Sequence, residues 1–179
     1  MDDESTLIRA AQAGDRQAFE RLLEARYDSI YRFALKWCGD VSDAEDVAQL
    51  ACIKLAKGLT QFDHRAQFST WLYRLVINCA QDWQRQQQRH HHADEGAHVN
   101  EASQADRSEI LIYLAQVLAW IAHLGAEFKE TVVLVFGEGL SHGEAADVLQ
   151  VKESTVSWRI HKVRKALIEF EQPGAGGKT

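Results

Sequence analysis

No apolar run in the chain approaches the roughly 20 residues that a membrane-spanning helix needs, so no insertion into a bilayer is expected. The first ten residues, MDDESTLIRA, lack both the basic start and the apolar centre of a secretory signal, which points to the cytosol. Cys38, Cys52 and Cys79 are odd in number and never spaced as CxxC, and each falls inside a helical apolar pattern. They read as reduced core or boundary thiols. The sequence offers no phosphate loop, metal-ligand spacing or nucleophile motif, so neither an enzyme nor a cofactor or metal site is expected. Strand-like alternation is also missing: apolar residues recur at helical spacing almost throughout, and the fold class that follows is all-α.

What is present divides in two. At 179 residues the chain has room for two small helical domains, each near the lower size limit for a core of its own. Taken alone, the net charge of −6 argues against a nucleic-acid partner, because phosphate binding needs local positive charge. The average hides the distribution. Acids dominate the first fifty residues, whereas Lys152, Arg159, Lys162, Arg164 and Lys165 stand against the single acid Glu153. An acidic chain with one basic helix suits a local DNA contact and a separate protein-binding face.

The first helix is predicted over Ser5 to Ala13, ended by Gly14, and Asp15 caps a second that carries Phe19, Leu22, Leu23, Tyr27, Ile30, Phe33, Ala34 and Trp37 on one stripe. Ser42 and Glu45 have the S-x-x-E spacing of a capping box for a third helix, running to Lys57. A loop from Thr60 to Gln67 precedes a fourth helix from Ser69 to about Arg89. From Gln84 the composition becomes QRQQQRHHHADEGAHVNEASQADR, which has too few large apolar side chains to offset the ordering entropy of a core. It is expected to be a frayed helix end and a flexible linker. Beyond it, Ile110, Leu111, Leu114, Val117, Leu118, Ile121 and Leu124 form one stripe, and a helix over Glu127 to Phe136 follows. The boundaries expected are 1–85 and 108–172 for the two domains, 86–107 for the linker and 173–179 for a disordered tail.

Ser141 and Glu144 form a second capping box, opening a short helix from His142 to Leu149. After a turn at Gln150 to Lys152, Val156, Ile160, Val163 and Leu167 repeat at helical spacing and must face a core. That leaves Thr155, Ser157, Trp158, Arg159, His161, Lys162 and Lys165 for solvent or a DNA groove, a mixture of base-reading donors and phosphate-binding cations. A solvated basic hairpin would also explain a charged face. The exposed Trp158 beside Arg159 and Lys162, together with the two-helix spacing, favours a helix-turn-helix that reads duplex DNA.

Three blocks make the chain resemble the extracytoplasmic-function sigma factors, bacterial members of the sigma-70 family. They are AGDRQAFERLLEARYDSIYRFAL (Ala13 to Leu35), DAEDVAQ (Asp43 to Gln49) with FDHRAQFSTWLYRLVINCAQDW (Phe62 to Trp83), and EGLSHGEAADVLQVKESTVSWRIHKVRKAL (Glu138 to Leu167). The resemblance implies a cytoplasmic transcription initiation factor with no catalytic residue of its own. Its region 2 would occupy residues 1–85 and its region 4 residues 108–172. The third helix would dock on the β′ clamp helices of core RNA polymerase, through Asp43, Glu45, Asp46 and Gln49 as acceptors and Val47, Leu50 and Ile53 as an apolar stripe. Plain helix capping is the alternative for Asp43 and Glu45. Capture of the minus-ten promoter element would fall to Phe62, His64, Arg65 and Gln67 of the loop and to Arg74, Asn78, Gln81 and Arg85 on one face of the fourth helix. Trp71, Leu72 and Leu75 read as core. Residues 110–139 would meet the β-flap tip, and the recognition helix would read the minus-thirty-five element. An anti-sigma factor would hold the protein inactive.

The chain departs from the family pattern at Leu50, Ala56, Gln150, Lys152 and Ser157-Trp158. A non-glycine in a left-handed turn costs on the order of 1 kcal/mol. Two other readings remain. A ligand-sensing regulator would explain the last block but leaves Phe62 to Trp83 unaccounted for. A metal-responsive protein is suggested by His90, His91, His92 and His98, although consecutive histidines in a polar linker are more often solvated than ligating.

Overall fold

The computed structural model describes residues 4–93 and 109–171. Every regular element among them is helical. The residues group into two compact units, with the boundary between Gln116 and Val117. The expected linker residues 94–107 and the tail 173–179 lie outside the described residues.

In the first unit, α1 (Glu4–Gln12) and α2 (Arg16–Cys38) are joined by a tight turn. The Asp15 carboxylate caps α2 by accepting from the Ala18 N–H at 3.1 Å, and left-handed Gly39 closes it by donating to the Leu35 carbonyl at 2.8 Å. Helix α3 (Val41–Gly58) begins two residues earlier than a Ser42 cap would place it. Its cap is Asp40, which accepts from the Asp43 N–H at 3.0 Å, so the Ser42–Glu45 box is not what starts the helix. An extended Asp directly before the helix supplies the same acceptor and adds negative charge at the positive end of the helix dipole.

Ala44, Ala48 and Ala51 form a fully buried stripe on α3, and these small side chains let it come close to its neighbours. Leu22, Ile30 and Phe33 of α2 and Leu55 of α3 are likewise buried, each contributing about 1.5–3 kcal/mol of apolar burial. Tyr27, expected on the buried stripe of α2, is 44% exposed. A 3-10 turn (Leu59–Gln61) leads to the loop before α4 (Phe68–Ala93). Phe68, Leu72, Val76, Ile77, Cys79 and Ala80 of α4 are buried. The helix continues beyond Arg89 into the stretch expected to be a linker, because glutamine and arginine are good helix formers even without a core to face.

The second unit contains the end of α5 (Glu109–Ala122), then α6 (Ala126–Val132), a π-helical turn (Val133–Gly137), α7 (His142–Leu149) and α8 (Glu153–Glu171). The single helix expected over 127–136 is therefore α-helical only in its first part. Its end widens so that the Glu138 N–H reaches the Val133 carbonyl at 3.0 Å. Ile121, Phe128 and Val163 form a buried cluster on which Val117, Trp120, Leu124, Val132 and Leu167 pack.

Candidate nucleic-acid interfaces

The helix-turn-helix in the second unit is built locally. Ser141 Oγ accepts from the Glu144 N–H at 3.2 Å, and the Glu144 carboxylate accepts from the Ser141 N–H at 2.8 Å and from its hydroxyl at 2.7 Å. Those hydrogen bonds hold the Glu144 carboxyl below the usual carboxylate range. Gln150 takes the left-handed turn at φ 56°, with its N–H on the Ala146 carbonyl. Helix α8 then starts on the Lys152 carbonyl, which accepts from Thr155 at 2.9 Å and Val156 at 3.3 Å.

With Val156, Ile160 and Val163 buried, Ser157, Trp158, His161, Lys162 and Lys165 are exposed, and Thr155 and Arg159 are half-buried. Arg159 leans back onto α6, donating to Thr131 Oγ1 at 3.3 Å, so this guanidinium braces the helix pair rather than projecting from it. Trp158 lies against Phe128, with ring centres 5.7 Å apart. The Lys162 ammonium rests on both rings, 5.0 Å from Trp158 and 5.2 Å from Phe128. His142 Nδ1 shares a hydrogen bond with Ser157 Oγ at 2.8 Å and ties the first helix of the pair to the second.

In the first unit a groove of ≈ 380 Å³ opens between α3 and α4, lined by Lys54, Lys57, Gly58, Gln61, Trp71, Arg74, Leu75 and Asn78. Of the expected minus-ten residues, only Arg74 and Asn78 line it. Lys54, Lys57 and Gln61 were not singled out in the sequence, because nothing in their spacing relates them to α4. Trp71 has two roles: it lines the groove and also packs on Phe62, centres 5.6 Å apart, and on Phe68 at 5.8 Å.

Asp82 accepts from Lys54 at 2.6 Å and from Arg85 at 2.5 Å. The hydrogen bond with Lys54 is the main reason the Asp82 carboxyl is held below its usual range and the lysine above its own. Arg85 is thus committed to an ion pair. Gln81 is half-buried on α4 away from the groove lining.

The loop ahead of α4 differs from expectation at Phe62. Its ring is 5% exposed, wedged between Phe68 at 5.4 Å, Trp71 and the His64 ring at 4.7 Å. It is a structural anchor without a free face for a base, because an aromatic side chain next to two others lowers its energy most by joining their cluster. His64, Arg65 and Gln67 are exposed. Arg65 pairs with Asp63 at 3.2 Å, and the Gln67 carbonyl accepts from Trp71 at the start of α4.

On the other side of α3, Asp46, Gln49, Leu50 and Ile53 face Trp83, Gln86 and Gln87 of α4 across a groove of ≈ 390 Å³. Ile53 is 50% exposed, and Glu45 is exposed nearby. Burial first, and the neighbouring Asp46 second, push the Asp43 carboxyl up. Val47, expected among the polymerase-facing residues, is fully buried in line with Ala44 and Ala51 and belongs to the core. Trp83 was missed because its spacing merely continues the apolar pattern of α4.

Burial also pushes the Cys52 thiol up and the Cys79 thiol up to about 11, and all three cysteines are free. Among the described residues no group of three or more His, Cys, Asp or Glu is placed to hold a metal. His98 and the side chains of His90, His91 and His92 lie outside the described residues. No described helix is long and apolar enough to cross a membrane.

Sequence comparison matches residues 22–90 to Sigma-70 region 2 and residues 120–168 to Sigma-70, region 4. The chain is 30% identical to the ECF RNA polymerase sigma factor SigW of Bacillus subtilis, over 89% of this chain and 92% of that protein. It is 29% identical to the RNA polymerase sigma-H factor of Pseudomonas aeruginosa, over 96% and 95% respectively. Among solved structures it is similar in fold to CnrH in complex with the cytosolic domain of CnrY, with a TM-score of 0.66 and 24% identity over 93% of this chain and 97% of that one. It is also similar to the sigma factor RpoE of Bartonella quintana in complex with the anti-sigma factor NepR, with a TM-score of 0.65 and 20% identity over 84% and 94%. The two region matches and the near full-length likeness to SigW show that the chain belongs to the extracytoplasmic-function RNA polymerase sigma factors of the sigma-70 family.

Proposed function

We propose that the chain binds core RNA polymerase, reads the minus-thirty-five element with α8 and captures the opened minus-ten element in the first unit, and that an anti-sigma factor restrains it. One observation carries the reading. In a chain of net charge −6, Lys54, Lys57 and Arg74 line one groove, and Lys162 and Lys165 share one exposed face of α8. Clustered cations against a negative background are the electrostatic footprint of nucleic-acid binding.

The two surfaces suit two forms of DNA. A single exposed helix face fits a major groove, where Ser157, His161 and Lys162 would meet base edges and Lys165 a phosphate. The α3–α4 groove has an indole in its wall and cations at its rim, and fits a displaced strand. Extruding a base costs a few kcal/mol, and stacking on an aromatic side chain returns about 1–3 kcal/mol per base. His64, Arg65 and Gln67 would contact the strand beside Arg74 and Asn78. Residues 1–85 act as the polymerase-binding and melting domain, 86–107 as the linker and 108–172 as the upstream DNA reader. Residues 110–139 would meet the β-flap tip.

The groove lined by Asp46, Gln49, Leu50, Ile53 and Trp83 would receive the polymerase clamp, with Asp43 and Glu45 at its edge. An anti-sigma factor covering that same face would block assembly. Chemistry stays with the polymerase, and the protein works in the cytoplasm. The test is run-off transcription from genomic fragments with core polymerase, with and without the protein. Promoter-dependent transcripts are expected only when it is added, and none from any fragment would reject the reading.

A further inference from the structure

The exposed loop between the 3-10 turn and α4 is held by a residue far away in sequence. The side-chain amide of Gln12, at the last position of α1, donates from Nε2 to the Leu59 carbonyl at 2.9 Å and to the Phe62 carbonyl at 2.7 Å. Its Oε1 lies 2.9 Å from His64 Nε2. Carbonyl oxygens only accept, so both amide protons of Gln12 are committed to them, and its remaining atom is an acceptor. His64 Nε2 must then be the donor. With its proton there, the neutral imidazole carries its lone pair on Nδ1, on the far side of the exposed ring.

Among the described residues, His64 is also one of two non-glycine residues with positive φ, at 60°, a conformation that costs energy and persists only where the surroundings impose it. Those surroundings are Gln12 on one side and the Phe62 ring, 4.7 Å away, on the other. Phe62 is in turn fixed by Phe68 and Trp71.

We propose that Gln12 is a positioning residue for promoter reading: it clasps the loop so that His64 presents Nδ1 as a fixed hydrogen-bond acceptor to an amino-bearing base, adenine or cytosine, of the displaced strand. The proposal rests on the minus-ten reading above and deepens it. A loop that merely filled space would not need an amide oriented by two carbonyls. A histidine free to flip would offer donor and acceptor alike and would read nothing.

The test uses holoenzyme assembled from core polymerase and the full chain, on a promoter and on copies in which single displaced-strand adenines are replaced by purine, or cytosines by 2-pyrimidinone, each lacking the exocyclic amino group. Wild-type protein should open one such copy less well than the parent, by on the order of fivefold to tenfold, the worth of one hydrogen bond. Gln12→Ala and His64→Ala should abolish that difference while polymerase association and minus-thirty-five duplex binding stay unchanged. Gln12→Lys, which keeps a donor for the carbonyls but offers His64 no acceptor, should fall between. Gln12→Glu, whose carboxylate would face two carbonyl oxygens, should be no better than Gln12→Ala.

If His64→Ala changes base discrimination and Gln12→Ala does not, the clasp is rejected and the minus-ten reading stands. If His64, Arg65 and Asn78 variants all open every promoter copy like the wild type, that reading falls and takes the clasp with it. If Gln12→Ala lowers the thermal midpoint and polymerase association together but leaves discrimination intact, Gln12 is only structural and the proposal is overturned.

Discussion

The two basic surfaces are made in different ways. On α8 the side chains at 158, 161, 162 and 165 share a face because a helix repeats every 3.6 residues, and nothing outside the helix is needed to bring them together. In the first unit, Lys54 and Lys57 from the end of α3 come to share a groove with Trp71, Arg74 and Asn78 of α4 only because the two helices pack. The difference separates contact from construction. A side chain on the helix face can be removed with little effect on the fold, whereas the composite groove shares residues with the core that creates it.

The largest expected effect breaks that contrast most directly. Phe62→Ala removes a buried ring from the cluster under the groove and should cost about 3 kcal/mol or more, with loss of polymerase binding and strand opening together. Trp158→Ala, at a residue 54% exposed, should change stability by about 1 kcal/mol or less while weakening minus-thirty-five duplex binding. Denaturation curves and duplex titrations check both, and equal destabilisation by the two substitutions would remove the distinction.

A smaller effect sharpens it within α8. Arg159→Ala should lower stability by about 1 kcal/mol through its lost bond to Thr131. Lys162→Ala should leave stability within about 0.5–1 kcal/mol, the worth of an exposed cation over an aromatic ring, yet reduce the salt dependence of duplex binding by about one ion. Thermal melts and titrations at several salt concentrations distinguish a brace from a contact, and the reverse ranking would exchange their roles.

The smallest expected effect is a pH dependence. Hydrogen bonds from Ser141 lower the Glu144 carboxyl in the folded state, so their contribution is fully present above the usual glutamate pKa of about 4.3 and is lost as pH falls through the depressed folded value. Ser141→Ala should flatten that acid limb of the thermal midpoint against pH. An unchanged limb would show that the box adds nothing.

The same contrast decides what could be read from the sequence. The capping box at Ser141 and the buried stripe of α8 are local, and spacing alone reveals them, whereas the left-handed position of Gln150 is legible only through the family resemblance. Asp40 stands only two residues before the competing Ser42–Glu45 motif, and both satisfy the same local rule, so spacing does not choose between them. Val47 and Phe62 are buried where the pattern suggests a surface, because period says which residues share a face but not what that face meets. Lys54, Lys57, Trp83 and Gln12 act across helices, and only packing brings their partners to them.

Helices α3 and α4 form one seam with a groove on either side. Ile53 opens to one and its neighbour Lys54 to the other, and Asp82 bridges Lys54 to Arg85 between them. An occupant that widens or tightens the seam from one side necessarily changes the fit on the other. Thermodynamic reciprocity then requires the influence to run both ways by the same factor. If a protein docks on the Asp46 side and DNA on the Lys54 side, as proposed above, each would retune the other's grip through the spacing of the two helices.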